Sequence, residues 1–354
     1  MIHLKICNFG AFKYYNKYFL TADEWLNNMK ILVTGANGLL GHHVLIQLQK
    51  ANHDIRIILR GNREIHFDTT HIETVGGNFT DYESLKIAAD GCDAIIHIAA
   101  VTSTNLLHYQ DYSSINLEGS ATLIRVADAL KINRLVFVST ANTIGYGNKE
   151  QPADETTAIE YPFTNSFYAR SKVEAEKLFV EASKKPERHV IIINPTFMLG
   201  SFDTKPSSGK LMLMGYKKRM MFVPRGGKNF VAVTDVATAI CNALTIGKNG
   251  ERYLASGVNL SFKEFYEIQS RVGEYKQKII VLPDILLKIA GKLGDAVRIF
   301  GLKTELCSMN LNQLIVREYY DNQKAKNELG LTSKSLEQAI GEALDWFKMK
   351  GKIK

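Results

Sequence analysis

The sequence predicts an α/β fold, a doubly wound parallel sheet with a smaller, mostly C-terminal α/β domain. Three observations predict it. From Met29 to about Thr196, strand-like and helix-like patterns alternate. The strand-like runs are continuous in Ile, Val and Leu, which suits strands covered on both faces. The first of them, Lys30-Ile31-Leu32-Val33-Thr34, runs directly into Gly35-Ala36-Asn37-Gly38-Leu39-Leu40-Gly41, and a helical pattern follows.

Each element has its own justification. The predicted strands are Lys30–Thr34, Ile55–Leu59, Ile72–Val75, Ala94–Ile98, Arg134–Ser139 and Val190–Asn194. Helical periodicity fills the gaps, notably Ser113–Leu130 and Phe167–Ala182. Residues 29–196 are therefore expected to form the dinucleotide-binding domain. Ser201–Gly209 is rich in Ser, Pro, Gly and Lys and reads as a loop. Beyond it come Leu211–Met214, Phe230–Val233, Asp235–Leu244, Arg252–Ala255 and a helix from Ser261, where Glu264 completes a capping-box spacing. Residues 197–354 are expected to be mainly the substrate domain, with 229–256 returning to the first domain. Leu282–Gly301 is amphipathic and basic. It reads as a helix closing the substrate domain, with a membrane-surface helix as the alternative. Residues 1–28 match no element. They read as an upstream over-call of the start codon or as an arm packed on the body, and a chain starting at Met29 is expected to fold.

The bulk numbers bound the function. The 354 residues, 45% hydrophobic, allow two domains with a sizeable core. No apolar stretch is long enough to span a membrane, so no stable membrane insertion is expected. The net charge of +8 is dispersed and accompanied by no nucleic-acid motif, so no nucleic-acid partner is expected. Cys7, Cys92, Cys241 and Cys307 are too scattered for a metal or redox site, which points to free thiols, a cytoplasmic location and no metal.

The glycine run carries the first chemical signal. A tight turn between strand and helix lets backbone N–H groups approach a pyrophosphate, and the helix N-terminus faces the anion with its partial positive charge. Its Gly-x-x-Gly-x-x-Gly spacing resembles the short-chain dehydrogenase/reductase superfamily. The chain length resembles its extended branch, the NAD-dependent epimerase/dehydratase family. The resemblance runs from about Met29 to Phe347. It implies a Rossmann fold, an NAD(P) cofactor and a carbonyl or alcohol substrate.

The resemblance also selects site residues. Tyr-x-x-x-Lys, which places phenol and ammonium on one helix face, occurs as Tyr82/Lys86, Tyr168/Lys172 and Tyr320/Lys324. Tyr168 follows the fifth strand at the family's distance and is taken as catalytic, with Lys172 as its electrostatic partner. Tyr82 comes too early, and Tyr320 sits in what resembles the closing segment near the surface. Thr140, preferred to its neighbour Ser139, matches the hydroxyl that holds the reacting carbonyl. Cofactor contacts carry over to Gly35, Asn37, Gly38, Leu39 and Leu40 in the phosphate turn. They carry over also to Asn78 and Phe79, to Ala99, Ala100 and Val101, to Asn116, and to Asn194, Pro195 and Thr196 at the nicotinamide end. Tyr168 and Lys172 are expected to touch the cofactor as well. After the second strand an acid would favour NAD. Here Arg60 stands there, followed by Asn62 and Arg63, which favours NADP while leaving NAD open.

At substrate level the resemblance leaves alternatives. Ala141-Asn142 replaces the Asp-Glu pair of nucleotide-sugar 4,6-dehydratases. Lys228-Asn229-Phe230 replaces the Arg-Asp pair of sugar-nucleotide epimerases. With Asn194-Pro195-Thr196, the pattern looks closer to the dihydroflavonol-4-reductase-like group, which includes 3β-hydroxysteroid dehydrogenases. The expected activity is NADP-dependent reduction of a ketone or aldehyde of a small apolar or ring-bearing substrate, by a monomer or homodimer. The alternatives are a nucleotide-sugar epimerase, with Lys228 on the diphosphate, and a non-catalytic NADP-binding sensor or assembly factor.

Overall fold

The computed structural model describes residues 28–61, 65–103, 105–204 and 206–354. Asn62, Arg63 and the first 27 residues, including Cys7, lie outside the described residues.

The main sheet is built from β1 (Lys30–Thr34), α1 (Leu39–Lys50), β2 (Asp54–Leu59), β3 (Ile72–Gly76), α2 (Tyr82–Ala89), β4 (Ala94–His97), α3 (Gln110–Asn116), α4 (Glu118–Ala129), β5 (Arg134–Val138), α5 (Phe167–Ala182) and β6 (His189–Pro195). There follow β7 (Phe197–Leu199), α6 (Gly209–Gly215), β8 (Met220–Val223), β9 (Gly227–Ala232), α7 (Val233–Ala243) and β10 (Arg252–Ala255). The order of the main sheet is β10-β6-β5-β4-β1-β2-β3, and every pairing in it is parallel. Alternation along each strand sorts side chains onto two cores. Ile31, Val33, Val136, Val138, Ile191 and Ile193 face α1 and α7. Leu32, Leu135, Phe137, Val190 and Ile192 face α2, α4 and α5. The central strands are apolar because both faces are covered, whereas the edge strand β3 is largely exposed and carries Glu73, which pairs with Arg56 of β2.

The remaining elements are β11 (Val258–Ser261), α8 (Phe262–Val272), β12 (Lys278–Val281), α9 (Asp284–Ile299), α10 (Ser308–Gln313), β13 (Arg317–Glu318), α11 (Gln323–Leu329) and α12 (Leu336–Met349). β9 pairs with β7, β11 and β13 in a second sheet, and β8 pairs with β12. A third core of Phe230, Phe262, Phe265, Tyr266 and Phe347 joins these elements to α12. The Ser261–Glu264 capping box forms at the start of α8. Of the stretch 229–256, α7 and β10 lie against the main sheet, whereas β9 belongs to the second.

Two expectations need correction. Ser113–Leu130 is two helices, not one. The break falls at Leu117, where the Ser120 hydroxyl donates to the Asn116 carbonyl at 2.6 Å and competes for helix bonding. Tyr320 is not near the surface. It is buried, and its hydroxyl lies 3.4 Å from the Ala141 carbonyl oxygen, because β13 leads the chain inward beside the loop after β5.

Candidate active site

The candidate residues gather at the C-terminal ends of the parallel strands, where open α/β sheets bind ligands. Gly35 follows β1, Arg60 follows β2, Asn78 lies just beyond β3, Ala99 beyond β4, Thr140 beyond β5 and Thr196 beyond β6.

The phosphate turn needs its glycines for separate reasons. Gly35 has φ +75°, and a Cβ there would stand 2.6 Å from the Ala99 backbone nitrogen. Gly41 lies so close beneath the turn that a Cβ would meet the Gly35 oxygen at 2.2 Å. The Gly38 N–H donates to the Gly35 carbonyl at 3.1 Å, and no side chain caps α1. Its first backbone N–H groups are therefore free of side-chain competitors for an anion. Asn37 and Leu39 are half-buried and Leu40 is buried in the core. This cradle fits the pyrophosphate of a dinucleotide. Ala99 is tied down by its N–H on the Thr34 hydroxyl, which also bonds the buried His97 ring at 2.7 Å. Burial and nearby Lys172 pull the His97 imidazole down to about 3, so it is neutral.

The other cofactor candidates differ in exposure. Arg60 is exposed, and among the described residues it has no ion-pair partner. Asn78 is half-buried, and its side-chain oxygen accepts from the Thr80 N–H at 3.4 Å. The Phe79 ring packs on His97. Ala100 and Val101 are half-buried. Asn116 clamps Val101 through both its N–H and its carbonyl, and also donates to Ser171 at 3.0 Å. Thr196 donates to Asn229 at 2.7 Å, and Pro195 before it is buried.

The structure brings Thr140, Tyr168 and Lys172 together. Ser166 caps α5 through the Ala169 N–H and so fixes the first turn, which carries Tyr168. Burial pushes the Tyr168 phenol up to about 12, and a hydrogen bond from Thr140 acts in the opposite direction. Lys172 lies one turn on, wholly buried, with its ammonium donating to the Val138 carbonyl at 2.8 Å and lying over the Phe137 ring. Burial pulls Lys172 down to about 7, and the Glu176 carboxylate acts against that pull. The neighbouring Ser139 hydroxyl is buried without a hydrogen-bond partner. Neither other Tyr-x-x-x-Lys pair has this setting. Tyr82 carries the Arg125 guanidinium on its ring, and Lys324 pairs with Glu251 on the surface.

A model of the NAD dependent epimerase/dehydratase family matches residues 31–256. The chain belongs to that family. It is an NAD(P)-dependent enzyme of the extended short-chain dehydrogenase/reductase type. It is 26% identical to sterol demethylase protein B of Methylococcus capsulatus, over 92% of this chain and 100% of that one. It is 29% identical to 2-alkyl-3-oxoalkanoate reductase of Shewanella oneidensis, over 85% of this chain and 81% of that protein. The crystal structure of gox2253 superposes with a TM-score of 0.81 at 26% identity, covering 92% of this chain and 100% of that one.

Within this member of the epimerase/dehydratase family, the structure shows a polar group that the sequence reading missed. Glu176 is buried one turn beyond Lys172. It accepts from the Thr143 hydroxyl at 2.7 Å and from the Asn194 amide at 2.6 Å, and it faces Arg252 at 3.5 Å. Asn194 also donates to the Thr140 carbonyl at 3.1 Å. The Asn194 side chain thus braces the Thr140–Thr143 loop from within. The signal was available: Tyr168, Lys172 and Glu176 recur every four residues and share one face of α5.

A cavity of about 460 Å³ is lined by Tyr146, Asn148, Arg225, Asp284, Ile315 and Arg317 among others, and by none of the trio. Tyr146 connects the two, since it lies six residues beyond Thr140 and packs edge-on against Phe163 just before α5. Lys228 is not free: its ammonium is held by the buried Glu318 carboxylate. Among the described residues, no group of three His, Cys, Asp or Glu side chains could hold a metal.

Proposed function

We propose that this enzyme uses NADPH to reduce a ketone or aldehyde of an apolar or ring-bearing substrate to the alcohol. The observation that carries the reading is the placement of Thr140 at the end of β5 next to Tyr168, one helical turn before buried Lys172. The phosphate turn and the half-buried residues beyond β4 would hold the cofactor, with Arg60 placed to meet a 2′-phosphate. When bound, the reduced nicotinamide supplies hydride.

The chain's own residues do the rest. Thr140 holds the carbonyl oxygen beside the phenol. Tyr168, kept protonated by its environment, gives that oxygen a proton as charge develops on it. Lys172, when charged, stabilises the tyrosinate left behind. Asn194 and Glu176 keep the Thr140 loop and α5 in register.

Two features refine the substrate. Arg225 and Arg317 line the cavity without ion-pair partners among the described residues and outnumber its one carboxylate, Asp284, which suits an anionic group on an otherwise apolar molecule. A 2-alkyl-3-oxoalkanoate, the substrate in one relative's name, has that character. The epimerase alternative loses its proposed diphosphate cation, because Glu318 neutralises Lys228. The sensor alternative leaves the assembled trio unexplained.

Two substitutions test the reading with a panel of ketones, aldehydes and nucleotide sugars scored for NADPH oxidation. Tyr168→Phe keeps the ring and should lower turnover roughly 10²–10⁴-fold with cofactor affinity little changed. Tyr82→Phe should leave turnover as it is; full activity in Tyr168→Phe would overturn the assignment. Arg60→Ala should cost NADPH about tenfold in affinity and NADH little, since one charge-assisted phosphate contact is lost. Equal affinities in the parent enzyme would reject the NADP preference.

A further inference from the structure

Helix α9 reverses the usual pattern of burial. Ile285, Leu286, Ile289, Leu293 and Val297 are exposed, Leu293 to 66%. At 100° per residue they share an arc of about 120°. The turn that follows continues the face with Ile299 and Phe300, each 83% exposed, and Leu302. Single exposed apolar residues are ordinary, but a contiguous set marks an interaction surface.

The inner side of α9 is already committed. Gly291 and Gly294 are its buried residues, and a Cβ at Gly294 would collide with the Leu306 carbonyl. Arg298 donates to the Leu106 carbonyl at 2.7 Å. The helix is thus fixed by its small face and turns its large apolar face outward.

Charge selects the occupant. Lys288, Lys292 and Lys303 are exposed along this face, and among the described residues none has an ion-pair partner. The exposed acid of the stretch, Glu305, is taken by Lys210. The other acids of the helix, Asp284 and Asp295, are half-buried, Asp295 accepting from the Ser308 N–H at 3.0 Å, so a second copy meeting this face symmetrically would bring exposed lysines toward exposed lysines. An anionic lipid surface supplies both what the apolar arc and what the lysine edge require. Sixteen residues with internal charges do not span a bilayer, and no described helix is long and apolar enough to do so.

We propose that α9 and the turn after it form a docking face for an anionic membrane surface. Asp284, the first residue of α9, lines the cavity, so the helix that docks also borders the cavity. Delivery of an apolar substrate from lipid to that cavity rests on the reductase reading; docking itself does not.

The test uses the full chain and reads binding, not turnover. The protein is sedimented with vesicles of phosphatidylcholine alone and of phosphatidylcholine mixed equally with phosphatidylglycerol. Binding to the mixed vesicles is expected, at least about tenfold tighter than to the neutral ones and weakened by salt. Ile289→Glu with Leu293→Glu should reduce it roughly tenfold or more, since apolar insertion is lost. Lys288→Glu with Lys292→Glu should erase the preference for anionic vesicles. Thermal melts show that the variants are folded. A parent protein that stays in solution with mixed vesicles overturns the proposal. So does unaltered binding by either folded variant. Failure to bind vesicles, with a dimer that the Ile289→Glu/Leu293→Glu change splits, would make the face a contact between two copies.

Discussion

The surroundings of Tyr168 and those of α9 depart from ordinary burial in opposite senses. At the end of β5, Lys172, Glu176 and Asn194 are polar and buried. Along α9 the large side chains are apolar and exposed, and the glycines are inside. Each departure costs free energy in the folded chain alone. Around Tyr168 the cost is offset locally, because most of the buried polar atoms have a partner at hydrogen-bond distance. Along α9 nothing within the described residues offsets it. The difference separates a site completed by its own side chains from a surface with no covering partner among the described residues.

The largest expected effect sharpens the first half of that comparison. Gly35→Ala forces a Cβ into a left-handed residue and against the Ala99 backbone. Backbone cannot yield as a side-chain end can, so a loss of roughly 2–4 kcal/mol in stability is expected, with cofactor binding abolished or nearly so. Gly61 is the control. It has φ +64° with open space around the added atom, so its Ala variant should cost only about 1 kcal/mol. Denaturant unfolding and cofactor titration check both. Equal losses would mean that backbone conformation, not the close approach to Ala99, sets the demand for glycine.

Much of the fold was legible because the signals were local. The Ile/Val/Leu strands, the capping box at Ser261 and the helix Phe167–Ala182 lie where the pattern placed them. The candidate site was legible as a cluster wherever a residue sits at a fixed distance from such an element, as Thr140, Tyr168 and Lys172 do. What escaped depended on contacts remote in sequence. Tyr320 is inside because β13 is drawn against β9, which no local pattern near Tyr320 announces. The Glu318 partner of Lys228 is 90 residues away. The break at Leu117 is local, yet it depends on which carbonyl the Ser120 hydroxyl takes, which apolar periodicity does not show. The exposed face of α9 reads in sequence first as a core-facing stripe, with a membrane-surface helix as the alternative. Only packing shows that the glycines took the inner side.

A smaller effect probes how the buried polar site is tuned. Lys172 carries charge below about 7 and loses it as pH rises through that value, so carbonyl reduction should fall across that interval. The Glu176 carboxylate opposes the effect of burial and raises the value. Glu176→Gln keeps an acceptor for Thr143 and Asn194 but removes the charge. The fall should then move toward acid, and turnover at pH 7 should drop about threefold to tenfold, as expected when roughly 1 kcal/mol of charge interaction is withdrawn. A pH profile of kcat measures it. An unmoved profile with lower kcat would reduce Glu176 to a structural brace.

The smallest effect tests the other half of the comparison, and its smallness is the point. Replacing two buried aliphatic residues by glutamate would leave uncompensated charge in a core and commonly unfold a domain. Ile289 and Leu293 are instead 51% and 66% exposed. In the folded chain alone, Ile289→Glu with Leu293→Glu removes little apolar contact and places each carboxylate in water. It also puts carboxylates beside Lys288 and Lys292 on the same helix. Stability should therefore stay within about 0.5 kcal/mol of the parent, and turnover on a water-soluble ketone should be unchanged. Chemical denaturation of both proteins in the absence of lipid decides it. A loss of several kcal/mol would mean that the face is covered within the chain, and the contrast with the Tyr168 site would collapse.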